Sequence, residues 1–186
     1  MGLSITVGLL DGLARNDAEG LAYHRGAFAR LTEALADNGI DWHEPEISDP
    51  PADPAVSTGF PYGYLMHLRQ IDDEATMLDS HLLCHSDCSG YYIPVDLDGP
   101  LFLPPEADVE GHGMVGSSQG LLTELVGVAP SLGIHLDADG TLSAAEETKL
   151  AELPLDAPFE MEKFTWHQLY RACRASIAGG RAIVFQ

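Results

Sequence analysis

The stretch HLLCHSDCSGYY, residues 81–92, gathers two histidines, two of the three cysteines, an aspartate and two serines. Those side chains offer metal ligands, acid–base groups and nucleophiles. On a helix, His81, Cys84, His85 and Cys88 would share one face. They would form a His2Cys2 set of the kind that suits tetrahedral zinc. Four residues on one straight helix all project to the same side, however, and do not readily surround an ion.

Local punctuation favours another geometry. Asp79-Ser80 precedes the run and Ser89-Gly90 interrupts it, which predicts two strands joined by a tight turn. Alternation along a strand places His81, Leu83, His85 and Asp87 on one face, and Leu82, Cys84, Ser86 and Cys88 on the other. The metal candidates are then His81, His85 and Asp87, with zinc as the ion and His112 or His167 as a fourth ligand. The catalytic candidates are His85, Asp87 and Cys88. His85 with Asp87 would form an acid–base couple, and Cys88 at the turn would be an accessible nucleophile. No known nucleophile signature surrounds either cysteine. The simpler alternative is a buried strand in which Cys84 packs as a small hydrophobe and His85 satisfies backbone groups.

Two further motifs invite chemistry. HLDADGTLSAAE, residues 135–146, places Asp137, Asp139, Ser143 and Glu146 at calcium-loop spacing around Gly140. His135 stands where the first acidic ligand belongs, and Pro130 and Gly133 occupy the expected entering helix. Calcium is therefore disfavoured, and a turn followed by a helix cap explains the run. GHGMVGSSQG, residues 111–120, puts glycines and serines before a helix, where backbone N–H groups can hold an anion. It lacks the P-loop lysine, and GxSxG is absent from the chain, so Ser117 reads as an ordinary helix cap. On the last helix, Trp166, His167 and Tyr170 read as core, with Arg171 and Arg174 available to pair with acids.

The elements that must position these residues follow from periodicity. Residues 3–10 predict a strand and 17–38 a helix with Leu21, Phe28, Leu31 and Leu35 on its apolar face. Residues 44–59, with four prolines, predict a surface loop. Helices are expected over 61–78, from Ser117 or Ser118 to Pro130, after Ser143 with Glu146 closing a capping box, and over 164–178. YYIPVDL and the closing RAIVFQ read as extended, and DGPLFLPPEADVEGHG as a loop. The expectation is a single globular domain of α/β or α+β class, with a mixed sheet and about five helices.

Charge is the strongest global signal. The 186 residues include 29 acidic and 9 basic ones, for a formal net charge of −20. Such a surface excludes nucleic-acid binding, which needs lysine and arginine to neutralise phosphates. It repels anionic membranes. No apolar run approaches the ~20 residues of a membrane span, and the N-terminus lacks the basic start of a signal peptide. Three cysteines argue against a disulfide framework. The expected location is the cytoplasm, and the expected partner a basic protein, drawn by the opposite field.

HLLCHSDCSGYYIPVDL, VGSSQGLLTELVGVAPSLGI and the closing SIAGGRAIVFQ together resemble a group of uncharacterised bacterial proteins. That group shares a HLxCHSDxxGYYxP segment and a GSSxxLLxEL helix start. The resemblance runs from about residue 3 to the end and implies no activity, ligand or catalytic residue.

Two functions from different classes fit the sequence. One is an acidic binding protein that masks a basic partner, in the manner of bacterial immunity proteins. The other is a metal- or cysteine-dependent enzyme of hydrolase type built on residues 81–88.

Overall fold

The computed structural model describes residues 2–71, 78–84 and 89–186. The described residues form a single α/β body with six strands and six helices. The strands are β1 (Gly2–Val7), β2 (Val56–Pro61), β3 (Gly90–Ile93), β4 (Leu101–Phe102), β5 (Met114–Ser117) and β6 (Ile183–Phe185). They make one mixed sheet in the order β2-β1-β6-β3-β5-β4. Only β3 and β5 run parallel; every other neighbouring pair is antiparallel.

Alternation along the strands sends apolar side chains to both faces of the sheet. Leu3, Ile5, Val7, Val56, Phe60, Tyr92, Ile183 and Phe185 enter one core. Tyr91, Ile93, Val115 and Val184 enter the other. Helices α1 (Leu9–Asn16) and α2 (Ala18–Asp37) cover the second face through Leu9, Leu10, Phe28, Leu31 and Leu35. The first face is covered by α3 (Tyr62–Arg69), α4 (Ser118–Val128), α5 (Ala144–Ala151) and α6 (Glu160–Gly179). Trp166 of α6 is wholly buried there, and its indole N–H donates to the Leu125 carbonyl at 2.7 Å. Among the described residues no helix is long and apolar enough to cross a membrane.

Several elements match their sequence signals. Asp17 caps α2 by accepting from Gly20 N, Ser117 caps α4 through Gly120 N, and Ser143 caps α5 through Glu146 N. Glu146 does not complete the reciprocal half of the expected box; its carboxylate instead takes the His135 N–H and the Lys149 ammonium. Gly180, at φ 67°, ends α6 in the left-handed conformation that glycine adopts freely.

Other elements differ from expectation. The predicted strand over 3–10 stops at Val7, because Gly8 turns left-handed (φ 87°) and Leu9 opens α1. A short apolar run carries no period that separates strand from helix. β2 begins inside the predicted loop, since VSTGFP shows little alternation. Pro61 precedes the first residue of α3 rather than occupying it. Residues 72–77 of the helix expected over 61–78 lie outside the described residues. The strand expected from His81 is a helical turn: Cys84 N donates to the Ser80 carbonyl, four residues back, at 3.0 Å. The expected alternation of faces therefore does not apply to residues 81–84.

The long loop after α2 is tied down by a buried charge cluster. Arg181, beside β6, reaches Asp11 of α1 at 2.6 Å and Glu44 of the loop at 3.7 Å. Asp11 also accepts from Ser48 N, the Ser48 hydroxyl and Ala52 N. Glu44 accepts from Ala182 N at 2.8 Å, and the nearby Trp42 indole donates to the Gly180 carbonyl. One guanidinium thus serves two carboxylates, and their environments separate them. Burial tends to raise the Asp11 carboxyl, but its hydrogen bonds and Arg181 outweigh this and hold it below its usual range. At Glu44 burial prevails over the Ala182 hydrogen bond and Arg181, and pushes the carboxyl from 4.5 up to about 7.

A pH dependence follows. Between pH 4.5 and about 7 the folded protein retains a proton on Glu44 that the unfolded chain has released. Through Glu44 the folded state binds an extra proton in that window, so the contribution of this group to stability falls as pH rises through it, by ~3 kcal/mol, against an opposite trend from His24 and His167, whose folded affinity for a proton is lowered. In denaturant titrations from pH 5 to 8, Glu44→Gln is expected to flatten this decline, since the amide still accepts from Ala182 N.

Candidate partner-binding surface

His81 is buried at the start of the helical turn, over the N-terminus of α4. Its Nδ1 accepts from Ser117 N at 3.0 Å, and its Nε2 lies 3.3 Å from the Leu97 carbonyl. With Nδ1 accepting, Nε2 carries the proton and donates to that carbonyl. Both ring nitrogens are thus occupied by backbone groups. The ring lies so close to α4 that a Cβ on Gly120 would meet His81 Cδ2 at 2.1 Å. Only glycine fits at that position.

Glu124 of α4 anchors the same turn. Its carboxylate accepts from the Ser80 hydroxyl at 2.6 Å, His81 N at 2.6 Å and Leu82 N at 3.0 Å. The Tyr92 hydroxyl and the Cys84 thiol both donate to the His81 carbonyl. Cys84 is completely buried, and burial, followed by the Glu124 charge, pushes its thiol up to about 12. A thiol so protonated is a packing group rather than a nucleophile. His85, Asp87 and Cys88, the other residues singled out for metal binding or catalysis, lie outside the described residues.

The proposed fourth ligands sit apart. His112 is exposed beside β5, whereas His167 is buried within α6, its Nε2 3.7 Å from Glu147 Oε1. Burial, then the neighbouring Arg171, lowers the affinity of His167 for a proton. The 135–146 segment closes as a turn. Asp139 accepts from Thr141 N, Gly140 N donates to the Asp137 carbonyl, and Leu136 bridges Leu142. Among the described residues, no group of three or more histidine, cysteine, aspartate or glutamate side chains is arranged to hold a metal.

What remains is charge, and the fold separates the acids into two kinds. One kind has local work. Asp17 caps α2; Glu19, Glu147, Glu160 and Glu162 occupy first helical turns, where the macrodipole favours anions. Asp11, Glu44, Glu110 and Glu124 accept buried or partly buried hydrogen bonds. The other kind works against its own element. Glu33 and Asp37 lie one turn apart, both exposed, in the C-terminal half of α2, and no basic residue stands in its last turn. Like charges at that spacing repel, and the helix C-terminus disfavours the Asp37 anion by ~0.3–1 kcal/mol. Asp41, Glu46 and Asp49 continue the exposed series along the next loop.

The unfavourable acids of α2 face a second set. A cleft of about 370 Å³ is lined by Glu33, Asp37, Glu106 and Asp108, with Arg30 at one side. Its far wall is the segment after β4, which is bound to α2 at two points. Arg30 donates to the Asp108 carbonyl and pairs with its carboxylate at 3.3 Å. Tyr23 donates to Glu110 at 2.8 Å, and Tyr91 donates to the other oxygen of the same carboxylate at 3.1 Å. Hydrogen bonding to Glu110 raises the Tyr23 phenol above its usual range. These ties hold the carboxylates on a common ledge. Arg30, paired with Asp108, is the basic residue in its lining; Arg15 pairs instead with Asp53, Lys149 with Glu146, Arg171 with Glu147, and Arg181 with Asp11 and Glu44.

Composition pointed to an acidic surface, but the ledge was not evident in the sequence, because α2 and the 104–110 segment are far apart in the chain. The one available signal was Glu33 and Asp37 at helical spacing near a C-terminus without a basic residue. The Glu124 anchor was equally hidden. Glu124→Ala is expected to lower stability by ~3 kcal/mol, because the backbone donors of His81 and Leu82 lose a charged acceptor inside the protein. Urea unfolding measures the change.

Comparison with known proteins adds a family. No curated protein and no solved structure matches the chain. A family model described as "Putative DNA-mimic protein" matches residues 1–72 and 69–185. The two matched segments take in the ledge, the buried charge cluster and both termini of the sheet, and the chain belongs to that family.

Proposed function

We propose that the protein binds a DNA-binding protein at the surface which that partner uses for DNA, and so keeps it from its target. The observation that carries this reading is the set of exposed acids at positions where they cost the fold stability, above all Glu33 and Asp37 of α2. An exposed carboxylate such as Asp37, in a last helical turn that holds no basic residue, has no local justification. A partner rich in lysine and arginine supplies one.

The physical logic is substitution. Duplex DNA presents one negative charge per ~1.7 Å of axis, and its ligands meet that charge with basic side chains. A protein surface with fixed carboxylates can satisfy the same side chains. The ties from Arg30 to Asp108 and from Tyr23 to Glu110 limit the ordering needed when a partner docks, which favours affinity. The net charge of −20 adds long-range steering, which raises association rates and declines with salt. Family membership supports the same reading.

Displacement is the direct test. Proteins retained from a cell extract on immobilised duplex DNA are challenged with the purified protein at ~50 mM salt, within the range where phosphate contacts are strong. Release of a specific DNA-binding protein is expected. That protein, once purified, should be titrated off labelled duplex in a mobility-shift assay, with weaker competition at higher salt. The double reversal Glu33→Lys with Asp37→Lys should weaken competition about tenfold or more. Asp37→Lys by itself should also stabilise the fold by ~0.3–1 kcal/mol, because it removes the repulsion with Glu33 and complements the helix dipole. If no DNA-bound protein is displaced at low salt, the reading is wrong.

A further inference from the structure

Residues 54–68 form the longest stretch of the chain without an aspartate, glutamate, lysine or arginine. That stretch includes all of β2 and nearly all of α3. It is not hidden: Ser57 and Gly59 are exposed, and Met66 is 45% exposed. On a molecule of this charge, an uncharged exposed seam is a distinct surface.

The seam also has open backbone groups. Ser4 exchanges hydrogen bonds with Gln186 at 2.8 and 3.0 Å. Ser4 therefore points its peptide groups away from β2, while Leu3 and Ile5 point theirs towards it. Leu3 is opposite Phe60 and Ile5 is opposite Thr58. Phe60 and Thr58 thus face β1, and Ser57 and Gly59 turn their N–H and C=O groups out from the sheet. Among the described strands, β2 pairs with β1 alone. Edge strands are usually blunted by charges, bulges or internal prolines. VSTGFP has no charge, and its proline stands at the very end.

We infer that β2 is a self-association edge, on which a second copy of this chain lays its own β2 antiparallel. A two-fold axis at Thr58 lets Ser57 of each copy bond Gly59 of the other. Charge selects this occupant. A basic protein is drawn to carboxylates, and the seam has none. A second copy bears the same net charge of −20 and can approach only where both surfaces are uncharged. The adjoining groove is lined by Ala55, Val56, Tyr170, Glu147, Arg171 and Arg174; Arg171 pairs with Glu147, and Arg174 leaves the groove with one cation more than it has carboxylates. The ledge of Glu33, Asp37 and Glu106 adjoins β4, at the opposite edge of the sheet. Pairing through β2 leaves a ledge free at each end of the doubled sheet.

Sedimentation equilibrium of the full chain across protein and salt concentrations tests this. A monomer–dimer equilibrium is expected, tightening as salt screens self-repulsion; this is opposite in sign to binding of a basic partner. Ser57→Pro removes an outward donor without touching the bonds to β1, and should weaken association about tenfold or more. Ser57→Glu keeps the backbone intact and brings like charges together across the axis. It should yield monomer at low salt and partial recovery at high salt. Circular dichroism verifies that both variants fold. Amide exchange at Ser57 and Gly59 should slow as protein concentration rises. A chain that stays monomeric at every concentration overturns the inference. So does a dimer indifferent to both variants, or protection at Ser57 and Gly59 that appears only when another protein is added.

Discussion

Repulsion among carboxylates sets the conditions under which this chain folds. With 29 acidic and 9 basic residues, few cations are available, and their placement determines what holds together. Arg181 is the clearest case. It joins the start of β6 to Asp11 and Glu44, and so fixes the long loop against the end of an interior strand and α1. Removing one partner from such a buried cluster leaves an uncompensated charge, which costs far more than the pair contributes. The two carboxylates respond differently. Asp11 has several donors and remains ionised, whereas Glu44 is desolvated and held near neutrality. Below about pH 7 the cluster thereby reduces its own excess charge by keeping a proton on Glu44.

Elsewhere the chain lessens repulsion by giving acids local work. Helix N-termini, caps and buried donors absorb one group of carboxylates, at no cost to the elements that carry them. Other exposed acids stand on the C-terminal half of α2, the loop after it and the segment following β4, where Arg30 is the basic residue that meets them. A fold that places charge against its own helix dipole gives up stability in exchange for something outside itself. Such placement separates an acidic binding surface from a generally acidic exterior, a distinction that total charge alone does not make.

Regular helices were legible because their caps and periods are written locally: Asp17 before α2, Ser117 before α4, Ser143 before α5, Gly180 after α6. Short or unpatterned elements were not. β2 lacks alternation and owes its extended form to pairing with β1. The helix α1 begins in an apolar run whose strand and helix readings differ only through the conformation of Gly8. The turn at His81 was the most misleading. Its residues suggested a strand with a ligand-bearing face, but Glu124, forty-odd positions away in the chain, captures three donors there and curls the segment over α4. His81 becomes a contact between turn and helix, with both nitrogens occupied.

The sequence by itself determined the class of fold, the sign and strength of the field around the molecule, and therefore the kind of partner that field attracts. Those properties depend on composition and local periodicity, which folding does not alter. Tertiary structure alone decided which acids are spent within the fold and which face outward together. It also decided that the densest chemical motif begins in a structural turn, and that an uncharged strand lies at the sheet edge away from the acidic ledge. Each of these depends on contacts between residues distant in sequence, and such contacts are specified by how whole elements bury their apolar faces.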